Sequence, residues 1–134
     1  MRDLVAWMLG FGLAANGLIM LGFPAGWYAS VPGVAESGPF NPHFIRDIGA
    51  AYFVAGAAFV WFAINRSVRA AAQAGAAFLA MHALVHLWDA AAGREHLHQL
   101  LIDLPTVFLP PALAIWIAWS PLGRSPISAK GDAR

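Results

Sequence analysis

Histidine and aspartate recur at helical spacing in three stretches of this sequence. Residues four or seven positions apart share one face of an α-helix, because each residue turns the helix by about 100°. The stretches are His43 and Asp47; His82, His86 and Asp89; and His96 and Asp103, with Gln99 between the last two. The spacing predicts three helices that each present imidazole and carboxylate groups on one side.

Imidazoles combined with carboxylates are the ligands of Zn, Fe, Mn or Cu(II) sites. We therefore take these seven His and Asp residues as candidate metal ligands. Three further polar residues are candidates to line the same pocket: Asn16, Arg46 and Gln99. A small polar ligand could bind there instead of a metal. A bis-histidine haem is the weaker alternative, since no second histidine pair lies near the middle of the helices.

The same residues also admit a purely structural interpretation. Buried charges are normally paired for solvation reasons alone, so the histidines could bond the aspartates and Arg46 could pair with Asp89 or Asp103. In that case the cluster would fix helix packing and bind nothing.

Composition predicts that lipid surrounds these helices. The 134-residue chain is 60% hydrophobic and 11% charged, with a mean hydropathy of +0.62, whereas soluble domains carry about 25% charged residues. The net charge of +1 argues against a nucleic-acid partner, which requires a basic face. The absence of cysteine excludes disulfides and Cys-ligated metal centres.

Four apolar segments are each long enough to cross a bilayer, which takes about 20 helical residues. They cover about residues 4–23, 42–64, 70–92 and 95–119, and the tail 120–134 follows. Asn41 and Pro42 have the pattern of an N-cap followed by a first helical residue, and Gly93 is placed to end the third helix. The sequence predicts an all-α, four-helix membrane bundle in a single domain, residues 1–134.

Proline and small residues refine this expectation. Pro105, Pro110 and Pro111 fall within the fourth segment and predict a kink, because each removes a backbone donor. Small residues on the second and third segments, including Gly49, Gly56 and Ala76, predict that these two helices pack closely.

Arginine and lysine are distributed unequally between the two ends of the predicted bundle. One side holds Arg2, Arg66, Arg69, Arg124, Lys130 and Arg134, and the other holds Arg46 and Arg94. The richer side is expected to be cytoplasmic, so both termini are predicted inside. The His and Asp residues then collect at the outer end, where ionisable groups at membrane depth usually have a functional role.

The stretch 41–52, with Arg46 followed by Gly49 and later by Gly56, is the most distinctive in the chain. It resembles a pattern in small four-helix bacterial membrane proteins that are loosely DoxX-like. The resemblance implies a bacterial inner (plasma) membrane and, for some members of that group, links to quinone or thiosulfate oxidation. Thiol chemistry does not transfer, because this chain lacks cysteine.

Three functions remain open from the sequence. The first is a polytopic membrane protein whose outer-half His/Asp pocket binds a metal ion or a small polar ligand. The second is a structural or accessory subunit of a membrane complex, and the third is a quinone-linked membrane oxidoreductase. The expected surroundings are the lipid bilayer, with a homo-oligomer or a larger membrane complex as candidate partners.

Overall fold

A computed structural model describes residues 1–94 and 97–120 of the chain. Within these residues there are helices and no strands, and four helical stretches are long and apolar enough to cross a membrane: Arg2–Gly22, Pro42–Ile64, Arg66–Ala91 and His98–Trp119. The prediction of an all-α chain with four helices long and apolar enough to cross a membrane is therefore confirmed for the described part of the chain. The predicted tail from residue 121 onward lies outside it.

The helices are numbered in chain order. Their bounds are α1 Arg2–Gly22, α2 Pro24–Ser30, α3 Val34–Ser37, α4 Pro42–Ile64, α5 Arg69–Ala91, α6 Leu97–Asp103 and α7 Leu109–Trp119. A 3-10 turn, Arg66–Val68, leads into α5, and a π-helical segment, Leu104–Phe108, joins α6 to α7.

Local sequence signals account for the boundaries of α4 and α5. The Asn41 side chain accepts hydrogen bonds from the backbone N–H groups of His43 (3.1 Å) and Phe44 (3.2 Å), as an N-cap does. At the end of α5, Gly93 has a φ of +71°, and its N–H donates to the Ala90 carbonyl while that of Arg94 donates to Asp89. This is a Schellman cap, so both predicted boundaries are confirmed.

The connection between α1 and α4 contains more helix than expected. The proline, glycine and serine residues between positions 29 and 40 predict a loop, but α2 extends to Ser30 and α3 forms a further turn. Pro24 explains the first difference, because it stands at the first position of α2, where its missing N–H costs nothing. The Tyr28 hydroxyl donates to the Gly38 carbonyl at 2.7 Å, which holds the connection in a defined shape.

The fourth span is divided rather than continuous. The π segment begins one residue before Pro105 and ends two before Pro110. Proline cannot donate the hydrogen bond that an α-helix needs, and a wider turn is one way to accommodate that loss. The irregularity predicted from the prolines thus takes the form of a π segment that separates α6 from α7.

Glycines bring α1 and α4 into backbone contact. A Cβ atom added to Gly17 would lie 2.5 Å from both the Gly49 carbonyl oxygen and the Phe53 nitrogen, and Gly56 is equally close to the backbone of Ala14. The small residues predicted close packing of α4 on α5, and these helices are in contact, but Gly49 and Gly56 face α1. Composition alone does not reveal which neighbour a glycine meets. Contact between α4 and α5 is looser and is made through Gly75, next to Phe59.

The apolar core lies towards one end of the bundle, which we call the terminus end. Arg66 forms an ion pair with Asp3 there, and the Arg69 guanidinium donates to the carbonyls of Ala118 and Ser120, both at 2.6 Å. The buried core residues at this end come from all four spans: Ala6, Leu9, Leu13, Phe59, Phe62, Ala72, Ala76, Leu79, Ala114, Ile117 and Ala118. The opposite end, which holds α2, α3 and α6, is called the long-loop end.

Candidate functional site

The long-loop end contains a chain of hydrogen bonds that joins α5 to α6. His86 on α5 lies with its Nδ1 atom 2.9 Å from Oδ2 of Asp103, the last residue of α6. The Nε2 amide of Gln99, one helical turn earlier, donates to the other carboxylate oxygen at 3.0 Å. Both oxygens of Asp103 are therefore bonded, which accounts for the burial of this carboxyl group at 4% exposure.

Asp103 determines how the His86 ring is held. As a carboxylate, Asp103 only accepts hydrogen bonds, so its Oδ2 atom accepts from the His86 tautomer that carries its proton on Nδ1. A carboxylate that fixes one imidazole nitrogen is a common support for a histidine that acts on a metal or a substrate through its other nitrogen. The geometry around His86 is thus compatible with binding chemistry and also with simple helix packing.

His82 lies one turn deeper on the same face of α5, as its spacing predicted. Its ring centroid is 5.0 Å from that of His86, 5.7 Å from that of Tyr52 on α4 and 6.4 Å from that of Phe78. The partly buried His82 ring therefore packs against two aromatic rings and a second imidazole. We call the cluster of side chains formed by His82, His86, Asp103, Gln99 and Tyr52 the polar pocket, a name that refers to these side chains and not to a measured cavity.

Two partly buried groups of this pocket have no hydrogen-bond partner among the described residues: the imidazole of His82 and the hydroxyl of Tyr52. Most buried polar side chains in proteins are hydrogen-bonded to protein or water, so each exception requires an explanation. Their contacts with each other and with Phe78 are ring contacts only.

Sequence reasoning did not single out Tyr52 or Phe78. Phe78 stands four residues before His82, so the helical spacing that grouped the histidines also places this ring on their face. Tyr52 is the last residue of the distinctive stretch 41–52. Its position next to His82 depends on how α4 is rotated, which a single sequence does not specify.

Asp89 and the pair on α4 are engaged elsewhere. Asp89 forms an ion pair with Arg94 at 2.8 Å, just beyond the end of α5. His43 and Asp47 lie 3.4 Å apart, as the spacing predicted, but their side chains are 87% and 62% exposed. The three helices therefore do not direct all of their candidate ligands to a common point within the described residues.

The remaining candidates have local partners. The Nε atom of Arg46 donates to the Leu21 carbonyl at 3.2 Å, near the end of α1, rather than to an aspartate. The Asn16 amide oxygen accepts a hydrogen bond from the Trp27 indole at 2.9 Å, which fastens α2 to α1. His96 lies outside the described residues.

Within residues 1–94 and 97–120, no group of three or more His, Asp or Glu side chains has an arrangement that could hold a metal ion. His82 and His86 together could offer two imidazoles, and structural or catalytic metal sites typically use three or four protein ligands.

Comparison with known proteins gave no match among protein-family models, curated proteins or solved structures. The resemblance to the DoxX-like group stays a prediction.

Proposed function

We propose that this chain is an integral protein of a bacterial inner membrane whose polar pocket binds a small ligand through hydrogen bonds. In this proposal both termini are cytoplasmic, as the distribution of Arg and Lys predicts, and the long-loop end lies in the outer half of the bilayer. The pocket then receives its ligand from the outer leaflet or from the outer surface.

The observation that carries this proposal is the pair formed by Tyr52 and His82. These two polar side chains lie together on facing helices, with ring centroids 5.7 Å apart, and neither has a hydrogen bond within the described residues. Polar groups in lipid are expensive and usually serve a partner or a function. A ligand that bonds both groups would recover the free energy that their burial costs.

The chemistry of the pocket restricts the ligand. A phenol donates and accepts, a neutral imidazole has one donor and one acceptor, and the nearby rings of Phe78 and Tyr52 are apolar on their faces. A small, flat molecule with carbonyl or hydroxyl oxygens suits this combination. A quinone head group belongs to this class, so the proposal includes a quinone-linked membrane oxidoreductase as one form.

A divalent metal ion is the second form of the proposal. His82 and His86 present two imidazoles with centroids 5.0 Å apart, and Asp103 supports the second of them as metal-ligating histidines are commonly supported. Water or a residue outside the described ranges would have to complete the coordination.

A structural role is the competing function, and it too rests on an observation. Asp103 is bonded at both oxygens by His86 and Gln99, so this part of the cluster joins α5 to α6 without any ligand. In a subunit that only packs within a larger complex, these hydrogen bonds would need no role beyond joining the two helices.

Native mass spectrometry of protein extracted gently into nanodiscs, with metal analysis of the same sample, tests these alternatives. We expect a bound species on the wild type that is reduced in Tyr52→Phe and lost in His82→Ala. His43→Ala is the matched control, because that histidine is exposed and lies away from the pocket. Equal occupancy in all four proteins would overturn the proposed site, and a stoichiometric metal would select the second form.

A further inference from the structure

We infer that residues 31–38, the part of the α2–α4 connection that includes α3, act as a strap that holds α6 closed on the polar pocket. Its relevance to ligand exchange rests on the proposed function. The mechanical coupling between the strap, α6 and the polar pocket requires no ligand and can be measured without one.

Gly33 is the point at which the strap meets α6. Its φ is +84°, a left-handed conformation that glycine adopts without steric cost. Its Cα hydrogens face the side-chain amide of Gln99 so closely that a Cβ atom at this position would overlap the amide nitrogen. No residue other than glycine fits here while Gln99 keeps its place.

Gln99 connects Gly33 to the polar pocket. The amide that touches Gly33 also donates to Asp103 at 3.0 Å, and Asp103 in turn holds His86 at 2.9 Å. Displacement of the strap would therefore release or shift Gln99, and with it one of the two bonds that satisfy the buried carboxylate.

The helix α6 has little else to hold it. Among the helical elements of the described chain, it contacts only α5 and the π segment that follows it. Leu101 and Ile102 are exposed, whereas Asp103 is buried. The π segment with Pro105 lies between α6 and the well-packed α7, so the regular α-helical hydrogen-bond pattern is interrupted between them.

The strap itself is fixed at its other side. The Tyr28 hydroxyl donates to the Gly38 carbonyl at 2.7 Å and lies 3.3 Å from the Ala35 carbonyl, and the Tyr28 ring packs on Phe40 with centroids 5.3 Å apart. These contacts connect the strap to α2. They hold the strap in position against Gln99.

Hydrogen exchange of Gly33→Ala in nanodiscs, with no ligand added, tests the coupling. We expect exchange in α6 to accelerate about fivefold, the equivalent of one net hydrogen bond, with α7 unchanged. Gly26→Ala is the matched control, because a Cβ atom there meets nothing within 4 Å, and it should leave α6 unaffected.

A second pair of variants distinguishes strain in the Gly33 backbone from loss of the contact between Gly33 and Gln99. In Gln99→Ala the amide is gone, so the further change Gly33→Ala should add little to exchange in α6. Unchanged α6 exchange in Gly33→Ala, or an equal increase in both backgrounds, would overturn the strap. Ligand occupancy in the nanodisc experiment is a separate measurement, so either proposal can fail without the other.

Discussion

At the scale of single residues, Asp103 is the group on which the long-loop end most depends. It is buried and bonded on both oxygens. Asp103→Ala leaves His86 Nδ1 and the Gln99 amide without their acceptor, and we expect it to lower the free energy of unfolding by about 1–3 kcal/mol. Denaturation in detergent micelles, followed by circular dichroism, measures this.

Asp47→Ala provides the comparison at the same scale. Asp47 also pairs with a histidine, but the pair is exposed, and exposed substitutions usually change stability by no more than about 0.5 kcal/mol. Equal losses for Asp47→Ala and Asp103→Ala would contradict the central position that the structure gives to Asp103.

Helical spacing predicted part of the candidate site. The shared face of His82 and His86 and the one-turn relation of Gln99 to Asp103 follow from sequence, because both lie within single helices. The partners of Arg46 and Asn16 did not follow, since a carbonyl at the end of α1 and an indole on α2 come within reach only after the chain folds.

At the scale of the helices, the contact between α1 and α4 restricts the sequence most strongly, because it leaves no room for side chains. A methyl group at Gly17 would meet the backbone of α4, whereas one at Gly12 meets nothing within 4 Å. We expect Gly17→Ala to destabilise the protein by about 1–3 kcal/mol, the usual cost of overpacking. The same unfolding measurement applies.

Gly12→Ala should be neutral or stabilise the protein by up to about 1 kcal/mol, because alanine is the better helix former. If both substitutions had the same effect, the close approach of α1 and α4 would not exist. The sequence contained these glycines, but it did not reveal that Gly49 and Gly56 face α1, because small residues are abundant on both neighbouring spans.

At the scale of the whole molecule, the number and length of the spans were predictable from sequence, since a bilayer requires about 20 apolar residues per helix. The sequence did not predict which helices pack against each other or that the core lies at the terminus end. Both features depend on contacts between residues far apart in sequence, such as Asp3 with Arg66 and Arg69 with Ser120.

Membrane orientation is the prediction that belongs to this scale. We expect a fluorescent-protein fusion after Arg134 to fluoresce in the bacterial cytoplasm, and alkaline phosphatase inserted between Ala35 and Glu36 to be active outside it. The physical reason is the excess of Arg and Lys at the terminus end. The reverse pattern would move the polar pocket to the cytoplasmic half.

In the proposed function, the role of His82 is to bind a ligand and not to stabilise the fold. The most direct test is the free energy of unfolding of His82→Leu, measured against wild type after bound species have been removed. Because the imidazole has no hydrogen bond within the described chain, an apolar side chain of similar size should leave stability unchanged or raise it by about 1 kcal/mol. A loss of about 2 kcal/mol or more would show that the imidazole supports the fold itself and would contradict the account.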